Sequence, residues 1–114
     1  MQRRIRAADV LRAYDATGLQ PLCGGWTEGC RACPVSVVAV AAGVTVHAMR
    51  WARACYGPVY VTAFLHAFDR APCPHCASAA ASRRSGPQSA AIRDGVAVRR
   101  ALEDRFGTIA FVAV

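Results

Sequence analysis

The chain has 114 residues, of which 14 are arginine and none is lysine, and its formal net charge is +7. This length is typical of one domain and argues against a two-domain enzyme, while 54% apolar residues and 18% charged residues exclude a wholly disordered chain. The positive charge is compatible with an acidic partner, such as nucleic acid or an acidic protein. However, a GC-rich genome also encodes many arginines and alanines, so the charge alone assigns no function.

The chain contains no segment that indicates export or a membrane span. No apolar stretch follows the basic residues near the start, as a secretory signal would require, so we expect a cytoplasmic protein. The uncharged run 32–49 contains Pro34, Gly43 and His47, and its apolar residues are mostly alanine and valine. Such a run partitions weakly into lipid, which favours buried core and no membrane role.

The first part of the chain predicts four helices, from apolar spacing combined with proline and glycine signals. Segment 20–29, rich in glycine, is interpreted as a loop. The valines of 35–46 also suit a strand, so that helix competes with a second interpretation. The predicted helices are Arg6 to Thr17, Pro34 to about Gly43, Thr45 to Tyr56 and Pro58 to about Arg70.

The second part of the chain predicts a linker, a helix and an extended tail. Segment 77–89 lacks an apolar period and is interpreted as a flexible linker; a basic helix is predicted over 90–106, and 108–114 is strand-like. We see no partner strand within the chain, so the tail either covers the core or pairs with a second copy in a homo-oligomer. The prediction is a mainly α protein, a small bundle of four to five helices with an extended C-terminal segment. Its predicted units are the core 1–76, the linker 77–89 and the appended segment 90–114.

Two C-x-x-C pairs are the clearest chemical motif. Cys30 and Cys33 form the first pair, and Cys73 and Cys76 form the second. Thiolates at this spacing bind one cation from a tight turn, and two such turns complete a tetrahedral site. In a reducing compartment, such pairs bind metal more often than they form disulfides. We therefore expect one structural zinc ion on these four residues, with Asp69 placed to support a ligand.

Other interpretations of the cysteines stay open. Cys23 with Cys30, Cys33 and one distal cysteine would suit an iron–sulfur cluster, and His75 could replace a neighbouring cysteine as ligand. A C-x-x-C pair also suits a thiol redox protein. Finally, every cysteine could be a small buried apolar residue, which is the interpretation we prefer for Cys55. His66 is interpreted as an ordinary packed histidine.

Residues 38–50 resemble the helix-turn-helix of bacterial transcription regulators. Ala39 stands where that motif has a small residue, Gly43 where it turns, and Val44, Met49 and Ala52 where it is apolar. The resemblance implies a DNA-binding regulator in which the second helix meets the major groove. Against it, Val44, Ala48, Trp51 and Cys55 also form an apolar stripe, which would bury the face that meets DNA. The implied contact residues are Thr45, Val46, His47, Arg50 and Arg53.

A longer resemblance covers about residues 8 to 70. The order Gly18-Leu19-Gln20-Pro21, Trp26, Ala39 to Gly43, Trp51-Ala52, Tyr56 to Tyr60 and Phe68-Asp69 is similar to that of small uncharacterised bacterial proteins. That resemblance implies an independent helical unit and carries no activity.

The leading hypothesis is a non-enzymatic binding module, with a zinc-stabilised fold and a basic surface for an acidic protein or nucleic acid. Phosphate-binding loops, nucleophile elbows and paired carboxylates suited to acid–base catalysis are absent from the sequence. If the chain were an enzyme, Cys73 or Cys76 beside His75 would be the nucleophile. The alternatives are a self-associating protein without metal, a helix-turn-helix regulator and a thiol redox protein. The residues predicted to bind the partner are Thr45, His47, Arg50, Arg53, Arg83, Arg84, Arg99 and Arg100.

Overall fold

The computed structural model describes residues 3–23, 25, 27–28, 31–44, 46–70 and 74–111. This part of the chain is mainly helical, which confirms the predicted class, although it contains six helices where four to five were expected. The helices are α1 (Ala7–Thr17), α2 (Pro34–Ala41), α3 (Ala48–Tyr56), α4 (Pro58–Arg70), α5 (Pro74–Ser82) and α6 (Gly86–Phe106). The short strands are β1 (Gln20–Cys23), β2 (Thr27–Glu28), β3 (Arg31–Ala32) and β4 (Ala110–Phe111).

Proline and glycine fix several helix boundaries where the sequence places them. Gly18 ends α1 in the left-handed conformation (φ 72°), and its N–H donates to the carbonyl of Tyr14. Pro34 begins α2 and Pro58 begins α4. Proline is favoured at the first helical position because the N–H that it lacks would have no hydrogen-bond partner within the helix there. Residues 34–41 are therefore helix, and the strand interpretation of this segment was wrong.

The four strands form a sheet with the order β2-β3-β1-β4. β1 runs parallel to β3 and to β4, while β2 pairs antiparallel with β3. The prediction of a loop over 20–29 missed this sheet, and the expectation that the tail finds no strand in its own chain was wrong. Strands of two to four residues are too short to produce a readable alternation, so only tertiary pairing defines them.

The predicted linker over 77–89 is wrong. α5 extends to Ser82, with Ala77 and Ala81 buried, and only 83–85 connect it to α6. Alanine is the strongest helix former and needs no apolar period, and its small side chain lets α5 pack closely against α6. A segment whose composition resembled a linker is thus a helix.

α6 is part of the core, so the predicted division between a core and an appended helix is also wrong. Ala91, Val98 and Leu102 of α6 are completely buried in one cluster with residues of α1 to α4. The centre of that cluster is a row of rings along α4, in which successive centroids lie 6.1 to 6.5 Å apart. The rings of the row are Tyr60, Phe64 and Phe68.

Among the residues described, no helix has both the length and the apolar character that a bilayer crossing requires.

Candidate functional site

Two buried cysteines meet at one edge of the sheet. Cys23 is the last residue of β1, and Cys33 directly follows β3 and precedes α2. β1 and β3 are parallel and pair Pro21 with Ala32, so both cysteines lie at the carboxyl ends of their strands. Their exposed fractions are 0% and 1%, and neither is in a disulfide. This edge is where parallel sheets commonly place ligand-binding groups.

Each of the two sulfurs accepts a hydrogen bond from an N–H group. Nη1 of Arg99 donates to Cys23 Sγ at 2.7 Å, and the backbone N–H of Ser36 donates to Cys33 Sγ at 3.4 Å. Such donors favour the thiolate over the thiol. Burial acts in the opposite direction, and it raises the pKa of Cys23 to about 11 in spite of Arg99; it also raises the pKa of Cys33. Both groups therefore stay protonated near neutral pH unless a cation binds them.

Arg99 lies in the interior, which corrects its predicted place on a basic surface. It is 8% exposed, donates to the carbonyl of Phe68 at 3.0 Å and forms an ion pair with Glu103 at 3.5 Å. The sequence contained a signal for this position. Arg99 follows Gly95 by four residues and precedes Leu102 by three, which places it on the face of α6 that packs inward.

The other predicted zinc ligands are only partly described. Cys30 and Cys73 lie outside the described residues, and Cys76 is exposed in the first turn of α5. Within the described ranges there is no group of three or more His, Cys, Asp or Glu that could hold a metal ion. Asp69 was predicted to support a ligand, and its negative charge contributes to the raised pKa of both Cys23 and Cys33.

A basic groove lies between α4, α5 and α6, with a volume of about 410 Å³. Arg70 and His66 come from α4, Arg84 lies in the connection 83–85 between α5 and α6, and Gln88 comes from the start of α6. Ala67 and Ile92 contribute apolar side chains to the lining. No acidic residue is present among the described residues that line the groove. His66 is exposed here, which corrects its interpretation as a packed histidine.

The predicted partner-binding residues are mostly at the surface but lie on different elements. Of the full predicted set, only Arg84 lines the groove within the part of the chain described. Thr45 is outside the described residues, and Arg99 is buried. The exposed members are His47, Arg50, Arg53, Arg83, Arg84 and Arg100.

α2 and α3 are joined by a turn in which Gly43 has φ 86°. Ala39 and Ala52 are completely buried, as they would be in a helix-turn-helix. However, α3 begins only at Ala48, so Val46 (68% exposed) and His47 precede the helix that would enter the groove of DNA. The helix-turn-helix interpretation stays a prediction.

Asp94 is a buried acidic residue that belongs to none of the sequence motifs. Its carboxylate accepts from Tyr60 Oη at 2.5 Å and from both Nε and Nη2 of Arg4, at 2.9 and 2.6 Å. Tyr60 Oη in turn accepts from the N–H of Ile5 at 2.8 Å. Asp94 follows Ala91 by three residues and precedes Val98 by four, so the apolar period of α6 already placed it on the buried face. The network attaches the N-terminal segment to α4 and α6.

The described part of the C-terminal tail contacts its own chain. β4 pairs with β1 at Leu22–Ala110 and Cys23–Phe111, and Ile109 is 4% exposed. The backbone of 110–111 thus pairs within one copy, and the side chain of Ile109 is buried there. Self-association through 108–114 stays a prediction.

Comparison with models of protein families, with curated proteins and with solved structures found no match.

Proposed function

We propose that this protein is a non-enzymatic binding module whose basic groove between α4, α5 and α6 takes an acidic segment of a partner protein. One observation carries the proposal. Arg70 and His66 from α4 and Arg84 from the connection between α5 and α6 line one groove together with apolar side chains, and no acidic residue joins them in the described lining. Such a groove suits a peptide that carries carboxylates beside an apolar side chain.

The groove is formed by stable elements. α4 and α6 form the largest helix contact of the described chain, and α5 packs along α6. Arg70 and His66 project from a packed helix, and Arg84 lies in a three-residue connection between two packed helices. Little backbone therefore has to become ordered when a partner binds.

The same proposal includes one structural zinc ion, bound by Cys30, Cys33 and Cys73 together with a fourth thiolate. The fourth thiolate is that of Cys76, which completes the second C-x-x-C pair. The zinc proposal is supported by the two C-x-x-C pairs and by the position of Cys33, buried with an N–H donor at its sulfur. The zinc would hold together the sheet edge and the segment after α4. Elemental analysis of the purified protein is expected to give one zinc ion per chain, and chelation is expected to reduce helical circular dichroism.

Peptide binding tests the groove. Fluorescence anisotropy with a labelled peptide rich in Glu and Leu is expected to give saturable binding. The double variant Arg70→Ala/Arg84→Ala is expected to lower the affinity about tenfold, because each arginine contributes an ion pair of about 0.5–1 kcal/mol.

The double variant Arg50→Ala/Arg53→Ala is the matched control, since it removes the same charge from exposed sites on α3. It is expected to leave peptide binding unchanged. Equal losses from both variants would mean that only net charge is sensed, and absence of saturable binding would also refute the proposal. Duplex DNA that binds more tightly than the peptide, and that only the α3 variant weakens, would assign the function to DNA binding instead.

A further inference from the structure

We infer that the exposed side of α3 docks on an anionic lipid bilayer, with its arginines at the lipid phosphates and the neighbouring valines among the outer carbons of the acyl chains. This α3 surface consists of Val46, Arg50, Arg53 and Val59. It goes beyond the proposed function, because within the described chain no residue of α3 lines the groove between α4, α5 and α6. Docking of this kind needs no helix that crosses the bilayer.

Among the residues that the structure describes, large apolar side chains are exposed only around α3. They are Val40, Val46 and Val59, with exposed fractions of 42%, 68% and 51%. Val46 lies two residues before α3 and Val59 three residues after it, while Val40 is on α2, which packs against α3. A single exposed valine is ordinary, but three around one short helix indicate an interaction surface.

The same part of the chain carries only positive charge. No acidic residue occurs in 29–68. Arg50 and Arg53 are exposed and three positions apart, so they share one face of α3. Arg3 lies at the C-terminal end of this helix, with its guanidinium carbon 5.1 Å from the centroid of the Tyr56 ring. Three arginines around one helix suit a layer of anionic headgroups, which attracts each basic side chain near it.

Acidic residues of the neighbouring elements are paired with other arginines. Burial raises the pKa of Tyr56, and the charge of Asp9 contributes to this shift, so Asp9 is near the end of α3. However, Asp9 forms an ion pair with Arg12. Asp94, which bonds a side chain of α4, pairs with Arg4. These carboxylates therefore do not cancel the positive charge of the α3 surface.

The composition of the α3 surface favours lipid over DNA. Within 46–59, every exposed residue other than His47 and the two arginines is valine, alanine or proline. Proteins that bind DNA contact its bases and phosphates largely through polar side chains, and exposed valines would have few partners there. A bilayer offers phosphate groups to arginine and acyl carbons to valine within one interface.

The core holds α3 in place from its other side. Ala52 is completely buried and Tyr56 is 4% exposed, so the inward face of α3 is fixed in the interior. Because the residues of the α3 surface are exposed, their substitution leaves the core intact and tests docking alone.

Co-sedimentation with lipid vesicles tests the inference. The protein is expected to bind vesicles that contain phosphatidylglycerol and to stay in solution with vesicles of phosphatidylcholine alone, and added salt should weaken the binding. The double variant Arg50→Ala/Arg53→Ala is expected to lower the partition coefficient about thirtyfold, at roughly fivefold for each arginine. The double variant Val46→Ser/Val59→Ser keeps the charge and is expected to lower the partition coefficient about tenfold, because less apolar area is buried in the bilayer.

The double variant Arg83→Ala/Arg100→Ala is the matched control. It removes the same charge from exposed positions outside α3 and is expected to leave vesicle binding unchanged. Equal losses from this variant and from the arginine variant of α3 would mean that the bilayer senses only net charge, which would overturn the inference. Unchanged binding of the valine variant would also overturn it, since the valines would then not enter the bilayer.

Other occupants of the α3 surface give different results. A protein that does not bind phosphatidylglycerol vesicles refutes the inference. If it instead binds duplex DNA and loses that binding in Arg50→Ala/Arg53→Ala, the surface belongs to nucleic acid. If it instead forms a dimer that Val46→Ser/Val59→Ser converts to a monomer in light scattering, the surface belongs to a second copy of this chain. The peptide assay tests the groove separately, so failure of vesicle binding leaves the proposed function standing.

Discussion

At the scale of single residues, the interior of this protein contains charges that its composition does not indicate. Asp94 and Arg99 lie four positions or more inside α6, and both are less than a tenth exposed. Each connects α6 to another part of the chain: Asp94 to the N-terminal segment, and Arg99 to β1 and the end of α4. Buried charges with several partners define which elements meet, because removal of one partner leaves the others without compensation.

Removal of Asp94 should destabilise the fold. Asp94→Ala leaves the Tyr60 hydroxyl without its acceptor and Arg4 without its carboxylate. The expected loss is about 2–3 kcal/mol in the free energy of unfolding, measured by urea denaturation. Asp15→Ala is the matched control, since it breaks an exposed ion pair with Arg105 and should cost less than about 1 kcal/mol. Equal losses from the two variants would contradict a structural role for the buried network.

At the scale of elements, α6 depends on one close approach to α4. A Cβ atom added at Gly95 would lie 2.6 Å from the carbonyl oxygen of Phe64 and 3.0 Å from Cβ of Ala67. The glycine therefore serves interhelical packing, although glycine weakens an isolated helix. Gly95 directly follows Asp94 in the chain, and both Asp94 and Val96 are buried. The close approach of α6 to α4 is therefore next to the buried carboxylate of Asp94.

Gly95→Ala separates these two effects of glycine. Helix propensity alone predicts a gain of about 1 kcal/mol, whereas the clash with the backbone of α4 predicts a loss of about 1–3 kcal/mol. We expect a net loss, with a lower thermal unfolding midpoint. Ala97→Gly on the exposed face of α6 is the control, and it should cost about 1 kcal/mol from propensity alone. A more stable Gly95→Ala protein would show that α4 and α6 are not in close contact there.

At the scale of the whole molecule, all three tyrosines of the chain belong to the core. Tyr14, Tyr56 and Tyr60 are at most 4% exposed, and burial raises the pKa of each. The hydroxyl of Tyr14 donates to the carbonyl of Ala32 at 2.6 Å, so the ring also links α1 to β3. The protonated tyrosines are thus part of the native packing.

These tyrosines predict the response of the fold to alkali. In the unfolded chain they ionise near pH 10, whereas in the native protein they stay protonated to higher pH. The unfolded state therefore releases protons first, and the free energy of unfolding should fall above about pH 10, by roughly 1.4 kcal/mol per pH unit for each group. Absorbance of tyrosinate should appear only as circular dichroism is lost. Tyrosinate that forms while the helical signal persists would contradict the burial of these hydroxyls.

Helices that are marked by neighbouring residues in the chain were predicted from the sequence. α1, α2 and α4 were predicted with boundaries close to those observed, because proline and glycine mark their ends and three- to four-residue spacing marks their buried faces. The C-x-x-C spacing also indicated Cys33 as a candidate metal ligand. It did not give Cys23 the same weight, because Cys23 is outside both C-x-x-C pairs and joins Cys33 only through the parallel pairing of β1 with β3.

The sequence by itself determined that the chain is mainly helical, basic and rich in cysteine, since these properties follow from composition and short-range periodicity. Only the tertiary structure decided that Arg99 is buried against Cys23 and that Arg70 and Arg84 line one groove. Arg99 and Cys23 are 76 positions apart in the chain, and Arg70 and Arg84 are 14 positions apart. Neither propensity nor motif spacing encodes such contacts, because they result from how complete elements pack against one another.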